Sequence, residues 1–78
     1  MNITNQIVII DVSTANYVTI ESLDNVNLDK FPIPHKGNRI NIYNKEYKNE
    51  IYRVVEVTYA YKHTNSMHCY IGIYVRHV

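Results

Sequence analysis

The chain has 78 residues and a formal charge of +1, so it is one small domain without a global field that would select nucleic acid or membrane by charge alone. A chain of this length buries only about 60% of the surface its unfolded form exposes, and its stability margin is thin. The single cysteine, Cys69, excludes an internal disulfide and points to a reducing, cytoplasmic setting.

The opening stretch, MNITNQIVIIDV, has no basic segment and no small-residue cleavage site, so it does not read as a signal peptide. Its apolar run is also too short to cross a bilayer. Period-two alternation predicts a first strand over Gln6–Val12 and a second over Tyr17–Leu23, joined by Ser13-Thr14-Ala15-Asn16. The second strand has one wet face, carrying Thr19 and Glu21. The first is apolar on both faces, through Ile7, Val8, Ile9 and Ile10. Either it is central and covered by the 24–37 connection, or Ile7 and Ile9 form a subunit interface, most simply in a symmetric dimer.

Asp24 to Gly37 is a long connection in which Pro32 and Pro34 forbid a central strand. Phe31 and Ile33 are placed to pack on the mouth of a barrel. A third strand runs from Asn38 to Tyr43 with Ile40 and Ile42 inward, and Asn44 to Asn49 is a polar turn. The fourth strand, Glu50–Lys62, puts Ile51, Arg53, Val55, Val57, Tyr59 and Tyr61 on one face. Tyr52, Val54, Glu56, Thr58, Ala60 and Lys62 fall on the other. A three-residue loop, Thr64-Asn65-Ser66, leads into a fifth strand from Met67 to Val78. It pairs Tyr61 with Cys69, Tyr59 with Ile71, Val57 with Ile73 and Val55 with Val75, and every pair is then apolar on one face.

The expected fold is all-β, with five antiparallel strands in a small barrel over residues 1–78. Pro34-His35-Lys36-Gly37-Asn38-Arg39-Ile40-Asn41-Ile42, followed by Tyr52-Arg53-Val54-Val55-Glu56-Val57, resembles the P-x-x-G-D-x-V-x-V and Y-x-V-x-x-V pattern of SH3-like barrels. Asn38 stands where that pattern has an acidic residue. The resemblance implies a five-stranded SH3-like barrel and no particular ligand, because such barrels bind peptides, nucleic acids and small molecules.

The outward row of this register holds Tyr52, Glu56, His68, Tyr70, Gly72, Tyr74 and Arg76, with Lys62 beside it. Tyr52, Lys62, His68, Tyr70, Gly72, Tyr74 and Arg76 are the candidate ligand-binding residues. Rings beside an open glycine, with cations at the edge, suit a planar anionic ligand such as a nucleotide, or an acidic protein surface. The competing reading is that the tyrosines only cover Gly72 and shield the sheet. Tyr59, Tyr61 and Arg53 are expected at the mouth of the barrel in core positions.

His63, His68, Cys69 and His77 do not form a zinc pattern, because alternation points His68 and Cys69 to opposite faces. No nucleophile elbow, P-loop or glycine-rich cradle anchors catalysis, the chain has only two glycines, and no cofactor is implied. The sequence therefore reads as a non-enzymatic binding module. In size it resembles the small proteins of bacteriophages and mobile elements that inhibit a host effector or sequester a nucleotide signal. A structural or virion accessory subunit forming an oligomeric barrel is the alternative, and a nucleic-acid-binding barrel is a third.

Overall fold

The computed structural model describes residues 3–43, 48–63 and 67–78. Five strands form one sheet: β1 (Ile3–Asp11), β2 (Val18–Leu23), β3 (Arg39–Tyr43), β4 (Asn49–His63) and β5 (Met67–His77). Their order across the sheet is β2-β1-β5-β4-β3, and the sheet curls into a half-barrel. The expected strands are all present, with ends shifted by a few residues at most. The expected Thr64-Asn65-Ser66 loop and most of the Asn44–Asn49 turn lie outside the described residues.

The sheet is mixed, which corrects the purely antiparallel expectation. β1 runs parallel to β5, from Ile3 opposite Met67 to Asp11 opposite Val75. The other three pairs are antiparallel. Alternation assigns side chains to faces but leaves neighbour order open. The doubly apolar β1 is the signature of a central strand, and it lies between β2 and β5.

A parallel pair at the centre requires the chain to pass from the β2 edge to the β3 edge across one face. Residues 24–38 make that passage. Val26, Phe31 and Ile33 pack from this connection onto the core, as the spacing around Pro32 implied. Asn5 fastens its start: the Asn5 carbonyl accepts from the Val26 amide at 3.0 Å, and the Asn5 side-chain amide donates to the Val26 carbonyl at 3.2 Å. A turn at His35–Asn38 ends it, with the Asn38 amide donating to the His35 carbonyl at 3.0 Å. Gly37 has φ +92° there, which a residue with a side chain adopts only under strain.

The core lies under this connection and consists of Ile7, Ile9, Tyr52, Val54, Cys69, Ile71, Ile73 and Val75. Ile7 is fully enclosed and Ile9 nearly so, both within the chain's own core. They are not on an open face, and Val26, Phe31 and Ile33 of the connection pack against the same core.

The second correction comes from β4. Val57, Tyr59 and Tyr61 stand opposite Ile73, Ile71 and Cys69, as the hydrophobic pattern required. A β-bulge between Val54 and Glu56 then changes the parity of the strand. Val54, not Val55, stands opposite Val75, and Tyr52 stands opposite His77. Tyr52 and Val54 are therefore buried, while Arg53 turns to the outer face. Beyond the reach of β3, the inward-facing Tyr59 and Tyr61 lose cover and are 53% and 68% exposed, so neither fills the core.

Candidate functional site

The 24–38 connection covers only one face of the sheet. The other, outer face carries Thr4, Gln6, Val8 and Ile10 from β1, and His68, Tyr70, Gly72, Tyr74 and Arg76 from β5. It also carries Lys62, Ala60, Thr58, Glu56 and, past the bulge, Arg53 from β4. Cross-strand register places Lys62 opposite His68, Ala60 opposite Tyr70, Thr58 opposite Gly72, Glu56 opposite Tyr74 and Arg53 opposite Arg76.

Six of the seven candidate ligand-binding residues thus share a face: Lys62, His68, Tyr70, Gly72, Tyr74 and Arg76. Tyr52 does not. It is 5% exposed on the inner face, because the bulge reverses the alternation that had placed it outside. Gly72 is on the outer face but is not open. A Cβ built on it meets Tyr74 Cε2 at 3.2 Å, Tyr74 Oη at 3.4 Å and Thr58 Oγ1 at 2.8 Å. The Tyr74 ring lies back over the glycine and is half-buried as a result. Tyr74 thus covers the sheet where the glycine leaves a gap. Tyr70 is the tyrosine of this face that is open to solvent, at 40% exposure. Its ring is 6.4 Å from that of His68, tilted by 30°. A hollow of about 260 Å³ opens beside them, lined also by Thr4, Gln6, Asp24 and Asn25.

The opposite end of the face is cationic. Arg39 of β3 stands directly opposite Arg53 of β4, and Arg53 directly opposite Arg76 of β5. All three are exposed. Arg53 Nη1 donates to the Gly37 carbonyl at 3.2 Å. Of this row the sequence singled out Arg76 alone, and put Arg53 in the core. The legible sign was Arg53 itself: a charged residue in an otherwise apolar row, next to two consecutive valines where the parity can change.

A polar group closes the inner face at the same end of the sheet. Tyr52 Oη donates to Glu50 Oε2 at 3.1 Å, and its ring centroid is 4.4 Å from that of His77. His77 Nε2 lies 3.3 Å from Asp11 Oδ2 and 3.7 Å from Glu50 Oε2. The Ser13 amide donates to Asp11 Oδ1 at 2.8 Å, and Ser13 Oγ accepts from the His77 amide at 2.9 Å. Hydrogen bonding from the Ser13 hydroxyl is the main influence holding the Asp11 carboxyl below its usual range; burial opposes it, and the Ser13 amide and His77 add to it. Burial first, then the hydrogen bond to Glu50 and the charges of Glu50 and Asp11, push the Tyr52 phenol up to about 12. This group ties the ends of β1, β4 and β5 together. Among the described residues, no cluster of three or more histidine, cysteine or acidic side chains is placed to hold a metal ion.

These features define the class: a small all-β domain whose five-stranded mixed sheet is covered on one face and open on the other. Compared with protein-family models, curated proteins and solved structures, the chain matches none. No helix among the described residues is long and apolar enough to cross a membrane.

Proposed function

We propose that the protein is a non-enzymatic binding module whose outer sheet face captures an anionic ligand bearing planar groups, such as a nucleotide, or the acidic surface of an effector protein. The observation that carries this reading is the shared exposure of Tyr70, Arg76 and Lys62 on a face that no other described element covers. An exposed tyrosine ring beside His68 offers stacking, worth about 1–3 kcal/mol per base, while the cations take negative charge. Inhibition by occupying a nucleotide signal or an effector, in the manner of small phage proteins, is the biological form such capture takes. The SH3-like barrel suggested by the sequence pattern belongs to the proposal only as architecture, a small curled sheet presenting one open surface.

A thermal-shift panel of mono-, di- and cyclic nucleotides tests it. A ligand at 100 times its dissociation constant adds about 2.7 kcal/mol. That raises the melting temperature of so small a domain by roughly 10 °C or more. The shift should be lost in Tyr70→Ala and Arg76→Gln together. A shift unchanged in that variant assigns the ligand to another surface.

One observation favours a second reading, self-association as a structural subunit. β3 pairs with β4 only up to Arg53, and the 37–38 backbone bonds to Val54. From Glu56 onward the outer edge of β4 has no strand beside it among the described residues, and it carries the exposed Tyr59 and Tyr61. Such an edge is a template for pairing with a second copy. Tyr59 stands opposite Ile71 in a pair whose backbone groups point away from each other, so Tyr59→Pro removes an amide of the free edge, and a lower mass for that variant in a sizing run would support this reading. A wild type monomeric at high concentration would end it.

A further inference from the structure

We infer that the Arg39–Arg53–Arg76 row is a phosphate-binding rail and that the outer face takes a single-stranded nucleic acid. The inference rests on the outer face being the binding surface and deepens that reading by naming the ligand class.

The row costs the fold something. Like charges directly opposite each other on neighbouring strands are destabilising, and this sheet has two such pairs sharing Arg53. Antiparallel partners have Cα atoms about 4.5–5.5 Å apart, so the three guanidinium stems rise from a line roughly 10 Å long. No described carboxylate forms an ion pair with any of them; the described ion pairs join His77 to Asp11 and Glu50 on the inner face. Arg53 enters the row only because of the bulge between Val54 and Glu56. Bulges that re-aim a side chain concentrate next to functional sites. Without it, Arg53 would face the core. A row of three unneutralised arginines is complementary to a run of phosphates.

Dimensions decide between a single nucleotide and a strand. Tyr70 and Arg76 are on one face of β5, six residues apart, or about 20 Å at the usual rise of a strand. One nucleotide does not reach from the Tyr70–His68 hollow to the arginine row, whereas a strand of several nucleotides does. The row itself also lacks the concave, enclosing shape that small-ligand sites have. The hollow on this face lies at the far end, and a cleft of about 480 Å³ lined by Pro34, His35, Lys36 and residues 55–57 and 59 opens beside the edge of β4. An open face with rings along one strand and a cationic row across its end is the arrangement that tracks a flexible single strand, with bases on the rings and phosphates on the arginines.

The test is fluorescence anisotropy with a labelled oligothymidylate, measured across a salt series on wild type and on the double variant Arg39→Gln, Arg76→Gln. Neither side chain carries a hydrogen bond in the described structure, so the variant is expected to keep or raise the melting temperature as like-charge repulsion is relieved. The expected result is binding at low salt. The double variant should flatten the dependence of log affinity on log salt by about 1.4, because each phosphate contact to a single strand contributes about 0.7. Absence of binding by the wild type at low salt overturns the inference, as does binding whose affinity and salt slope are unchanged in the double variant. Equal or tighter binding of heparin or of a duplex of the same length also overturns it, since neither offers unpaired bases for stacking. If mononucleotides shift the melting temperature while the oligonucleotide does not bind, the inference fails and the broader capture reading stands. If neither mononucleotides nor the oligonucleotide bind, both fail on nucleic ligands together.

Discussion

Gly72 shows how one residue couples the fold to the site. Its missing side chain lets Tyr74 lie flat on the sheet, and a methyl group there would press on Thr58 Oγ1 at 2.8 Å. Alanine gains about 0.5–1 kcal/mol from reduced backbone entropy, but overpacking costs about 1–3 kcal/mol. Gly72→Ala is therefore expected to lose about 1 kcal/mol in chemical denaturation. Adding Thr58→Ala should recover part of the loss, a coupling that a double-mutant cycle reads directly. Tyr52 makes a second residue-scale prediction. Its phenol is raised to about 12 in the folded chain from an ordinary value of 10.0, so the folded state holds the proton that the unfolded state releases. That stability is in full below pH 10 and is lost as pH rises towards 12. Tyr52→Phe should flatten this alkaline loss. Asp11 has the opposite sign: its lowered pKa adds stability above the ordinary aspartate value of 3.8, and acid removes it below that.

At the scale of the element, the bulge in β4 decides which side chains the protein shows. Val54 is 1% exposed in the core, whereas Val55 is half-buried at the bulge. Val54→Ala should cost about 2 kcal/mol, and Val55→Ala less than about 1 kcal/mol. Equal losses, or the reverse order, would restore the unbroken alternation and return Arg53 to the inner face. The same element marks how far the sequence could be read. Five strands, the pairing of Val57, Tyr59 and Tyr61 with β5, and the docking of Phe31 and Ile33 all follow from hydrophobic periodicity. Periodicity has no means of reporting an inserted residue, because Ile51, Val55 and Val57 keep the same parity through the bulge. The error fell on Ile51 to Val55, where Ile51 and Arg53 turn outward, Tyr52 and Val54 turn inward and Val54 takes the place of Val55 opposite Val75, and it stops there in β4. The outer positions of β5 were legible because that strand is unbroken. The parallel pairing of β1 with β5 was not, since alternation carries no direction. The arginine row was illegible for both reasons together: it needs the bulge and the order of β3, β4 and β5.

At the scale of the whole molecule, the long β4–β5 hairpin extends the chain to 40 Å, and its radius of gyration is 13.4 Å. A compact chain of this length has about 11.5 Å. The excess lies in a sheet that is covered on one side and uncovered on the other, so stability and binding are assigned to different faces. Ile7 belongs wholly to the first. Ile7→Thr should unfold the protein or lower its melting temperature sharply, without producing a folded monomer from an oligomer in a sizing run. The outer face is the opposite case, where substitutions at Arg39, Tyr70 and Arg76 should leave folding intact. The most direct test of that division is a nuclear magnetic resonance titration of isotope-labelled protein with a short oligothymidylate. Perturbed amides should cluster at Arg39, Arg53, His68, Tyr70, Tyr74 and Arg76. Perturbations confined to Tyr59 and Tyr61, to the Asp11, Tyr52 and His77 group, or to no part of the sheet would contradict it.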